Sequence, residues 1–216
     1  MKTFENFQVI PANRLAFLAA ERTCQFPGTY NPLYIYGVCG TGKTHLLMAI
    51  ADHFRKNGKT VELLSCQQLC EEMISAIKNS TMSEYRTKYH EADIVLIDNL
   101  QYLKGKENTQ EELFTILEKR LSNGKQTILA GNLSPAEISF WDSQLASHIT
   151  SGLCIQTQVP NSEERSQIVA NKLKERGMDW PMEACRYVAH NAAFSWFQID
   201  GEINKIVFLK ELYNKQ

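Results

Sequence analysis

Residues 37–44 have the composition and spacing of a phosphate-binding loop, G-x-x-x-x-G-K-T. An apolar β-type run precedes them and residues at helical spacing follow, which is the context that this motif requires. The glycines of such a loop allow backbone N–H groups and the following helix N-terminus to point at phosphate oxygens. Lys43 is expected to contact the β- and γ-phosphates, and the hydroxyl of Thr44 to bind Mg²⁺. The loop residues that we predict to bind nucleotide are Gly37, Val38, Cys39, Gly40, Thr41, Gly42, Lys43 and Thr44.

Two further polar positions are expected beside the loop. Asp98 directly follows the apolar run 94–97, where the carboxyl end of a parallel strand presents its side chain, and we predict that it holds the magnesium shell. Many P-loop ATPases carry a second carboxylate at the next position to orient or deprotonate water, but here that residue is Asn99, whose amide cannot act as a base. Asn132 follows the run 127–130 and is predicted to reach the γ-phosphate, with an ordinary loop asparagine as the alternative.

Short β-type runs alternate with stretches of helical spacing, which predicts a parallel sheet with crossover helices. The runs are 33–36, 61–64, 94–97, 127–130 and 154–155, and helical spacing covers 44–57 and 110–122. After Pro160 the sequence predicts only helices, around 163–176, 181–191 and 199–213. Asn161 and Glu164 have the spacing of a helix-start signature for the first of them. We therefore predict an α/β P-loop NTPase core with a three-layer parallel sheet over residues 1–160, and a small all-helical lid over residues 161–216.

The composition excludes several classes of protein. The 216 residues contain 23 Lys and Arg against 24 Asp and Glu, so no global basic field attracts nucleic acid and any such contact must be local. No window reaches the roughly 18 apolar residues of a membrane span, and the amino terminus lacks the pattern of a targeting signal. The six cysteines lack the C-x-x-C spacing of zinc or redox sites. We expect a cytoplasmic protein with reduced thiols.

Several stretches contain residues that nucleotide binding in general does not demand, among them Asn31-Pro-Leu33 and Thr109-Gln-Glu-Glu112. The full set is Thr3-Phe-Glu-Asn-Phe7, Pro11-Ala-Asn-Arg-Leu15, Tyr30-Asn-Pro-Leu-Tyr-Ile-Tyr-Gly37, Gly42-Lys-Thr-His-Leu-Leu47, Ile97-Asp-Asn-Leu-Gln101 and Lys104-Gly-Lys-Glu-Asn-Thr-Gln-Glu-Glu-Leu-Phe114. These stretches resemble the AAA+ domain of the bacterial replication initiator DnaA family, and the resemblance covers nearly the whole chain. It implies an AAA+ sheet with a helical lid that binds ATP or ADP with Mg²⁺ at subunit interfaces and switches an assembly at the replication origin.

The same resemblance implies two further contact regions. It places Phe7 and Asn13 near the adenine, and it identifies residues 68–89 as the family's helical insertion, which engages single-stranded DNA in the assembled filament. Lys78, Arg86 and Lys88 are the candidates for contacts with DNA phosphates. Four glutamates leave this insertion without a surplus of positive charge, so a solvated helix face is the alternative: Glu71, Glu72, Glu84 and Glu91.

Two positions depart from the family pattern. His148 aligns where the family projects an arginine into the ATP of the neighbouring subunit, and Phe197 aligns with the arginine of the lid that senses the γ-phosphate. Arginines that contact the phosphate being transferred raise the rate of hydrolysis by orders of magnitude. In addition, Asn99 cannot act as the base that would activate water. We therefore expect nucleotide binding with weak or absent hydrolysis.

The resemblance leaves the cellular role open. No helix-turn-helix for reading duplex DNA can be fitted to the sequence. In lacking this motif the sequence resembles the short DnaA-related regulator Hda, or an isolated initiator domain. The expected partner is a DnaA-type AAA+ subunit or a second copy of the chain, with single-stranded DNA as a further candidate. A helicase-loader ATPase and a P-loop small-molecule kinase are the alternatives. The kinase would need clustered arginines in the lid, whereas the arginines there are scattered at Arg165, Arg176 and Arg186.

Overall fold

Five parallel strands form a single sheet. They are β1 (Leu33–Tyr36), β2 (Val61–Ser65), β3 (Ile94–Asp98), β4 (Gln126–Gly131) and β5 (Leu153–Gln156), in the order β2-β3-β4-β1-β5. The structure is a computed structural model that describes residues 2–139, 141–192 and 196–213, apart from the side chain of Phe197. Every predicted β-type run lies within a strand, so the predicted parallel sheet is confirmed.

Helices connect the strands and make up the carboxyl-terminal part of the described chain. They are α1 (Arg14–Gln25), α2 (Lys43–Lys56), α3 (Cys66–Lys78), α4 (Met82–Glu91), α5 (Glu107–Ser122), α6 (Pro135–Ile138), α7 (Ser143–Ser151), α8 (Ser162–Glu175), α9 (Met182–Asn191) and α10 (Trp196–Tyr213). The helices predicted after Pro160 are confirmed. Helix α8 begins as predicted, because Asn161 Oδ1 accepts from the Glu164 N–H at 2.9 Å and the Glu164 carboxylate accepts from the Asn161 N–H at 2.7 Å. None of the described helices is long and apolar enough to cross a membrane.

The strands bury both faces of the sheet. In β1, Leu33 and Ile35 pack with apolar residues of α1 and α2, whereas Tyr34 packs in a second cluster with residues of α3, α4, α5 and α7. Successive strand residues point to opposite faces, so one short apolar run supplies both layers. The predicted three-layer α/β architecture is confirmed.

The chain divides into two compact units. The first comprises Leu15–Gly37 and Lys43–Thr157 together with the amino-terminal residues up to Phe7. The second comprises Gln8–Arg14, Val38–Gly42 and the residues from Gln158 onward. Its core contains Ile10 and Ala12 together with apolar residues of α8, α9 and α10. The helical unit thus includes two short segments that the sequence-based boundary assigned to the α/β core.

One arginine stabilises the interior of the first unit. Arg120, on α5, is fully buried, and its guanidinium group donates five hydrogen bonds. Four acceptors are backbone carbonyl oxygens and the fifth is a hydroxyl: Tyr89, Ala92, Asp93, Gln126 and Thr127. The desolvation of the cation lowers the pKa of Arg120 to about 10. This residue joins the end of α4 to the starts of β3 and β4.

Candidate functional site

The first glycine of the loop at residues 37–44 occupies a position that no other residue fits. Gly37 has φ +141°, and a Cβ atom there would lie 2.4 Å from the carbonyl oxygen of Thr157. Thr157 is itself fixed, because its N–H donates to the Tyr36 carbonyl at 2.7 Å. The close approach of the two backbones requires glycine at the end of β1.

The middle of the loop turns tightly. Gly40 and Gly42 have φ +78° and +96°, a region that glycine adopts at little cost. The Thr41 hydroxyl donates to the Val38 carbonyl at 3.0 Å. Val38 and Cys39 are exposed. Tight turns at successive glycines are the backbone geometry that a phosphate-binding loop needs.

Lys43 begins α2 at the end of the loop. Its side chain is buried, with 8% of the residue exposed, and Nζ donates to the Gly37 carbonyl at 2.7 Å. The ammonium group is therefore held against the first residue of the loop, where a phosphate contact was predicted. An ammonium group supplies three donors, which suits the binding of several phosphate oxygens.

Thr44 and Asp98 contact each other as a magnesium site requires. The Thr44 hydroxyl donates to Asp98 Oδ2 at 2.6 Å, and Asp98 Oδ1 accepts from the Asn99 N–H at 2.7 Å. Asp98 is buried at the end of β3. The described residues contain no group of three or more His, Cys, Asp or Glu that could hold a metal ion by itself. A hydroxyl and one carboxylate fit Mg²⁺, which takes its other ligands from phosphates and water.

A polar bridge links the ends of β3 and β4. Gln101 Nε2 donates to Asn99 Oδ1 at 3.2 Å, and Gln101 Oε1 accepts from the Asn132 N–H, also at 3.2 Å. Because β4 lies between β1 and β3, Asn132 follows the strand between the one that leads into the phosphate-binding loop and the one that ends in Asp98. The sequence analysis identified Asn132 but not Gln101. The only available signal for Gln101 was its place in the stretch that begins at Ile97.

The two residues predicted near adenine are both buried and already engaged. The Phe7 ring stacks on Phe17 with centroids 5.6 Å apart and contacts the His45 ring edge-on at 5.0 Å. Asn13 Oδ1 accepts from the Ile10 N–H at 2.9 Å, and Asn13 Nδ2 donates to the Gln8 carbonyl at 3.0 Å. Both side chains support the backbone of the amino-terminal segment, and their role near a base stays a prediction.

The second unit contains buried polar atoms that lack hydrogen-bond partners among the described residues. They are Nε2 and Oε1 of Gln8, Nε of Arg165 and Nε1 of Trp196. Trp196 also donates its backbone N–H to the Gly40 carbonyl at 3.3 Å. Buried polar groups in native proteins are nearly always paired, so such atoms indicate a place that a polar ligand or water fills.

The candidates for DNA contact lie on the two helices of the predicted insertion, α3 and α4. Arg86 donates to both carboxylate oxygens of Glu112, at 2.9 and 2.8 Å, and this hydrogen bonding raises the pKa of Arg86. Lys88 lies 2.8 Å from Glu72 and 3.5 Å from Glu62. Burial lowers the pKa of Lys88, but these glutamates raise it more. Lys78 lies exposed in the last turn of α3. Two of the three cations are thus locally neutralised, and their DNA contact stays a prediction.

The two departures from the family pattern differ in what the structure describes. His148, on α7, is half-buried, and its ring contacts Phe114 edge-on with centroids 5.0 Å apart. The side chain of Phe197 lies outside the described residues.

Comparison with known proteins identifies the group to which these features belong. The family model described as the bacterial DnaA ATPase domain matches residues 1–156. The chromosomal replication initiator protein DnaA of Thermomicrobium roseum is 36% identical over 213 residues, which are 97% of this chain and 46% of that protein. The chain spans about half the length of the curated relatives that it matches.

Solved structures agree with this assignment. Domain III of the Thermotoga maritima replication initiation protein DnaA is 33% identical with a TM-score of 0.91, covering 100% of this chain and 91% of that one. A replication initiator DnaA bound to AMPPCP and single-stranded DNA is 33% identical with a TM-score of 0.90, covering 99% of this chain and 68% of that one. The DnaC helicase loader, at 16% identity and a TM-score of 0.62 over 73% of this chain, shares the fold alone.

Proposed function

The chain belongs to the family of bacterial DnaA ATPase domains, and on that premise we propose that it binds ATP or ADP with Mg²⁺ and acts as a nucleotide-dependent switch. The switch acts in the initiation of chromosomal replication or in its regulation, in the cytoplasm. The observation that carries this proposal is the contact between Thr44 and Asp98 at 2.6 Å behind the phosphate-binding loop.

Each residue of the proposed site has a separate task. Lys43 contacts the β- and γ-phosphates, and the backbone N–H groups of residues 38–44 donate to phosphate oxygens. The Thr44 hydroxyl would hold Mg²⁺, and Asp98, which accepts a hydrogen bond from Thr44, would supply the neighbouring negative charge. When bound, Mg²⁺ neutralises charge on the β- and γ-phosphate oxygens. Asn132 contacts the γ-phosphate, and the side chain of Gln101 connects Asn132 to Asn99 through two hydrogen bonds.

We propose that hydrolysis is weak or absent. Asn99 offers an amide where a base is needed, and that amide already accepts from Gln101. His148, which stands where the family pattern has an arginine, packs edge-on against Phe114 of its own chain. Slow turnover suits a switch, because the bound nucleotide then sets the state of the protein for longer.

The proposed partners are another DnaA-type AAA+ subunit or a second copy of this chain, with single-stranded DNA as a further ligand. A relative in this family was solved with AMPPCP and single-stranded DNA. In this chain Lys78 is the candidate cation without an ion pair among the described residues, whereas Arg86 and Lys88 bind carboxylates. We therefore expect weak DNA binding that depends on assembly.

Nucleotide titration tests the binding proposal. Displacement of a fluorescent ATP analogue is measured for wild type and Lys43→Ala, and we expect the variant to lose affinity by at least about tenfold. Lys56→Ala is the matched control, because the exposed Lys56 lies on the same helix and forms an ion pair with Asp52 of that helix. Absence of nucleotide binding by the wild-type protein refutes the proposal.

A phosphate-release assay tests the second part. We expect turnover of the wild-type protein below about 0.01 s⁻¹, the range of P-loop proteins that lack an efficient catalytic arginine. Turnover well above that rate, with or without a DnaA-type partner, contradicts the assignment of a slow switch.

A further inference from the structure

Six hydrogen bonds, together with the peptide bonds of consecutive residues, join the candidate site into a closed ring. Its members come from the ends of β1, β3 and β4 and from the start of α2, and all of them lie in the first unit. The ring closes where the Gly37 N–H donates to the Gly131 carbonyl at 3.2 Å. In ring order the members are Gly37, Lys43, Thr44, Asp98, Asn99, Gln101, Asn132 and Gly131.

Gln101 joins the two strand ends beyond the point where the sheet itself joins them. The paired register of β3 and β4 ends with Ile97 opposite Leu129. Further along, Gln101 Nε2 donates to Asn99 Oδ1 and Gln101 Oε1 accepts from the Asn132 N–H, both at 3.2 Å. A side-chain amide offers a donor and an acceptor, so this one residue serves both strand ends at once.

The backbone that carries Gln101 is held in place by buried neighbours. Gln101 lies in a short 3₁₀ helix, Leu100–Leu103, in which Leu100 and Leu103 are fully buried. Asn99, just before it, has φ +59° and ψ +48°, a left-handed conformation that asparagine adopts more readily than most residues. The amide of Gln101 therefore extends from a fixed point toward Asn132.

The residues on either side of Asn132 are also held. A Cβ atom on Gly131 would lie 2.9 Å from the Tyr34 hydroxyl oxygen, so the backbone is closely packed there. The same hydroxyl donates to the Leu133 carbonyl at 2.6 Å. The freedom that remains is rotation of the peptide group at Asn132, and its N–H is the group that Gln101 binds. The Asn132 side chain is exposed, so a ligand can reach it, and its direction follows from this peptide group.

We propose that Gln101 is a positioning residue on which γ-phosphate binding by Asn132 depends. ATP and ADP differ by the γ-phosphate, so a misplaced Asn132 weakens the binding of ATP more than that of ADP. This inference rests on the proposed nucleotide binding. It gives a task to the one side chain in the ring that has no assigned contact with Mg²⁺ or phosphate and is not the position expected to hold a base.

The test compares ADP with AMPPCP, an ATP analogue that carries a γ-phosphate and resists hydrolysis. Dissociation constants for both are measured by displacement of a fluorescent nucleotide from wild type, Gln101→Met and the control Gln25→Met, whose glutamine is exposed on α1. In Gln101→Met the Kd for AMPPCP should rise about fivefold more than the Kd for ADP, as expected for one lost hydrogen bond. Gln25→Met should keep the wild-type ratio of the two constants.

A double-mutant cycle separates positioning from direct contact with the nucleotide and from a general loss of structure. Asn132→Ala removes the proposed γ-phosphate contact and should shift the ratio at least as far as Gln101→Met does. If Gln101 acts through Asn132, adding Gln101→Met to Asn132→Ala causes no further shift, because no side chain remains to be positioned. Additive shifts overturn the proposal.

A second variant covers the case in which Gln101→Met does not fold. Gln101→Asn stays polar but is one carbon shorter, so it cannot reach Asn99 and Asn132 together. It should shift the ratio in the same direction as Gln101→Met, and an unshifted ratio refutes the role of Gln101.

The outcomes distinguish this inference from the proposed function. If wild type binds neither nucleotide, the proposed function fails and this inference fails with it. If wild type binds both and folded Gln101→Met keeps the wild-type ratio, only the role of Gln101 is overturned and the nucleotide site stands. The same conclusion holds if Asn132→Ala leaves the ratio unchanged.

Discussion

Replacing Arg120 by methionine removes five hydrogen bonds from the interior of the first unit while keeping a long side chain in place. The carbonyl oxygens of Tyr89, Ala92 and Gln126 then lose a charged donor at 2.5 to 2.7 Å. A hydrogen bond from a charged group contributes about 1.5–3 kcal/mol, and an unpaired buried acceptor costs about 1–3 kcal/mol.

These contributions do not simply add, because methionine also relieves the desolvation of the buried cation. Desolvation of this buried guanidinium group opposes its charged form and lowers the pKa of Arg120. Loss of one member of a buried charged network costs about 3–5 kcal/mol, so we expect the free energy of unfolding to fall by about 4 kcal/mol. For a chain of this size that corresponds to a Tm lower by about 8–16 °C.

The assay is urea unfolding followed by circular dichroism, with a thermal scan as the second measurement. Arg55→Met is the matched control, because Arg55 lies exposed on α2 with one hydrogen bond of 3.3 Å, and it should change stability by less than about 0.5 kcal/mol. If Arg120→Met differs from wild type by less than about 1 kcal/mol, the guanidinium group does not hold α4 to the sheet, and the reasoning is wrong.

Three other predictions concern the loop, the acid range and the insertion. Gly37→Ala places a Cβ 2.4 Å from the Thr157 carbonyl and should abolish nucleotide binding in a titration, whereas retained affinity would show that the loop shifts freely. Hydrogen bonds lower the pKa of Asp93 below its ordinary value of 3.8, so the unfolded state binds more protons at acid pH. The ionised Asp93 therefore contributes its full stabilisation above pH 3.8 and loses it as the pH falls through the lowered pKa. Asp93→Asn should flatten the acid part of a curve of unfolding free energy against pH. An unchanged curve would contradict the role given to Asp93. Glu112→Gln frees the charge of Arg86, so single-stranded DNA should bind more tightly, and the slope of log affinity against log salt concentration should steepen by about one. Unchanged affinity and slope would show that Arg86 does not contact DNA.

Much of the candidate site was predictable because it depends on local patterns. The loop glycines, Lys43 and Thr44 lie within eight residues of the sequence, and Asp98 ends a short apolar run that the sequence predicts as a strand. Periodicity placed the strands and the helices close to their observed bounds, since the repeat of a strand or helix is a property of neighbouring residues. The helix start at Asn161 was likewise visible, because a capping box is formed within four residues.

The partners of these residues could not be found in this way, because they come from distant parts of the chain. Glu112, the acceptor for Arg86, lies on another helix, and nothing in the charge count of the insertion showed this pairing. Asn13 was expected near the base, but its amide is used on the backbone that precedes it. Side-chain pairing depends on which elements pack together, and pattern within one element does not decide that.

The sequence by itself determined that this protein has a phosphate-binding loop, a carboxylate at the end of a strand and helices after the sheet, because each is encoded in adjacent residues. Only the tertiary structure decided that β4 lies between β1 and β3, which places Asn132 at the end of the strand between them and allows Gln101 to bridge two strand ends. The physical reason is that strand order results from packing both faces of the whole sheet at once, and long-range packing selects the partners that local patterns leave open.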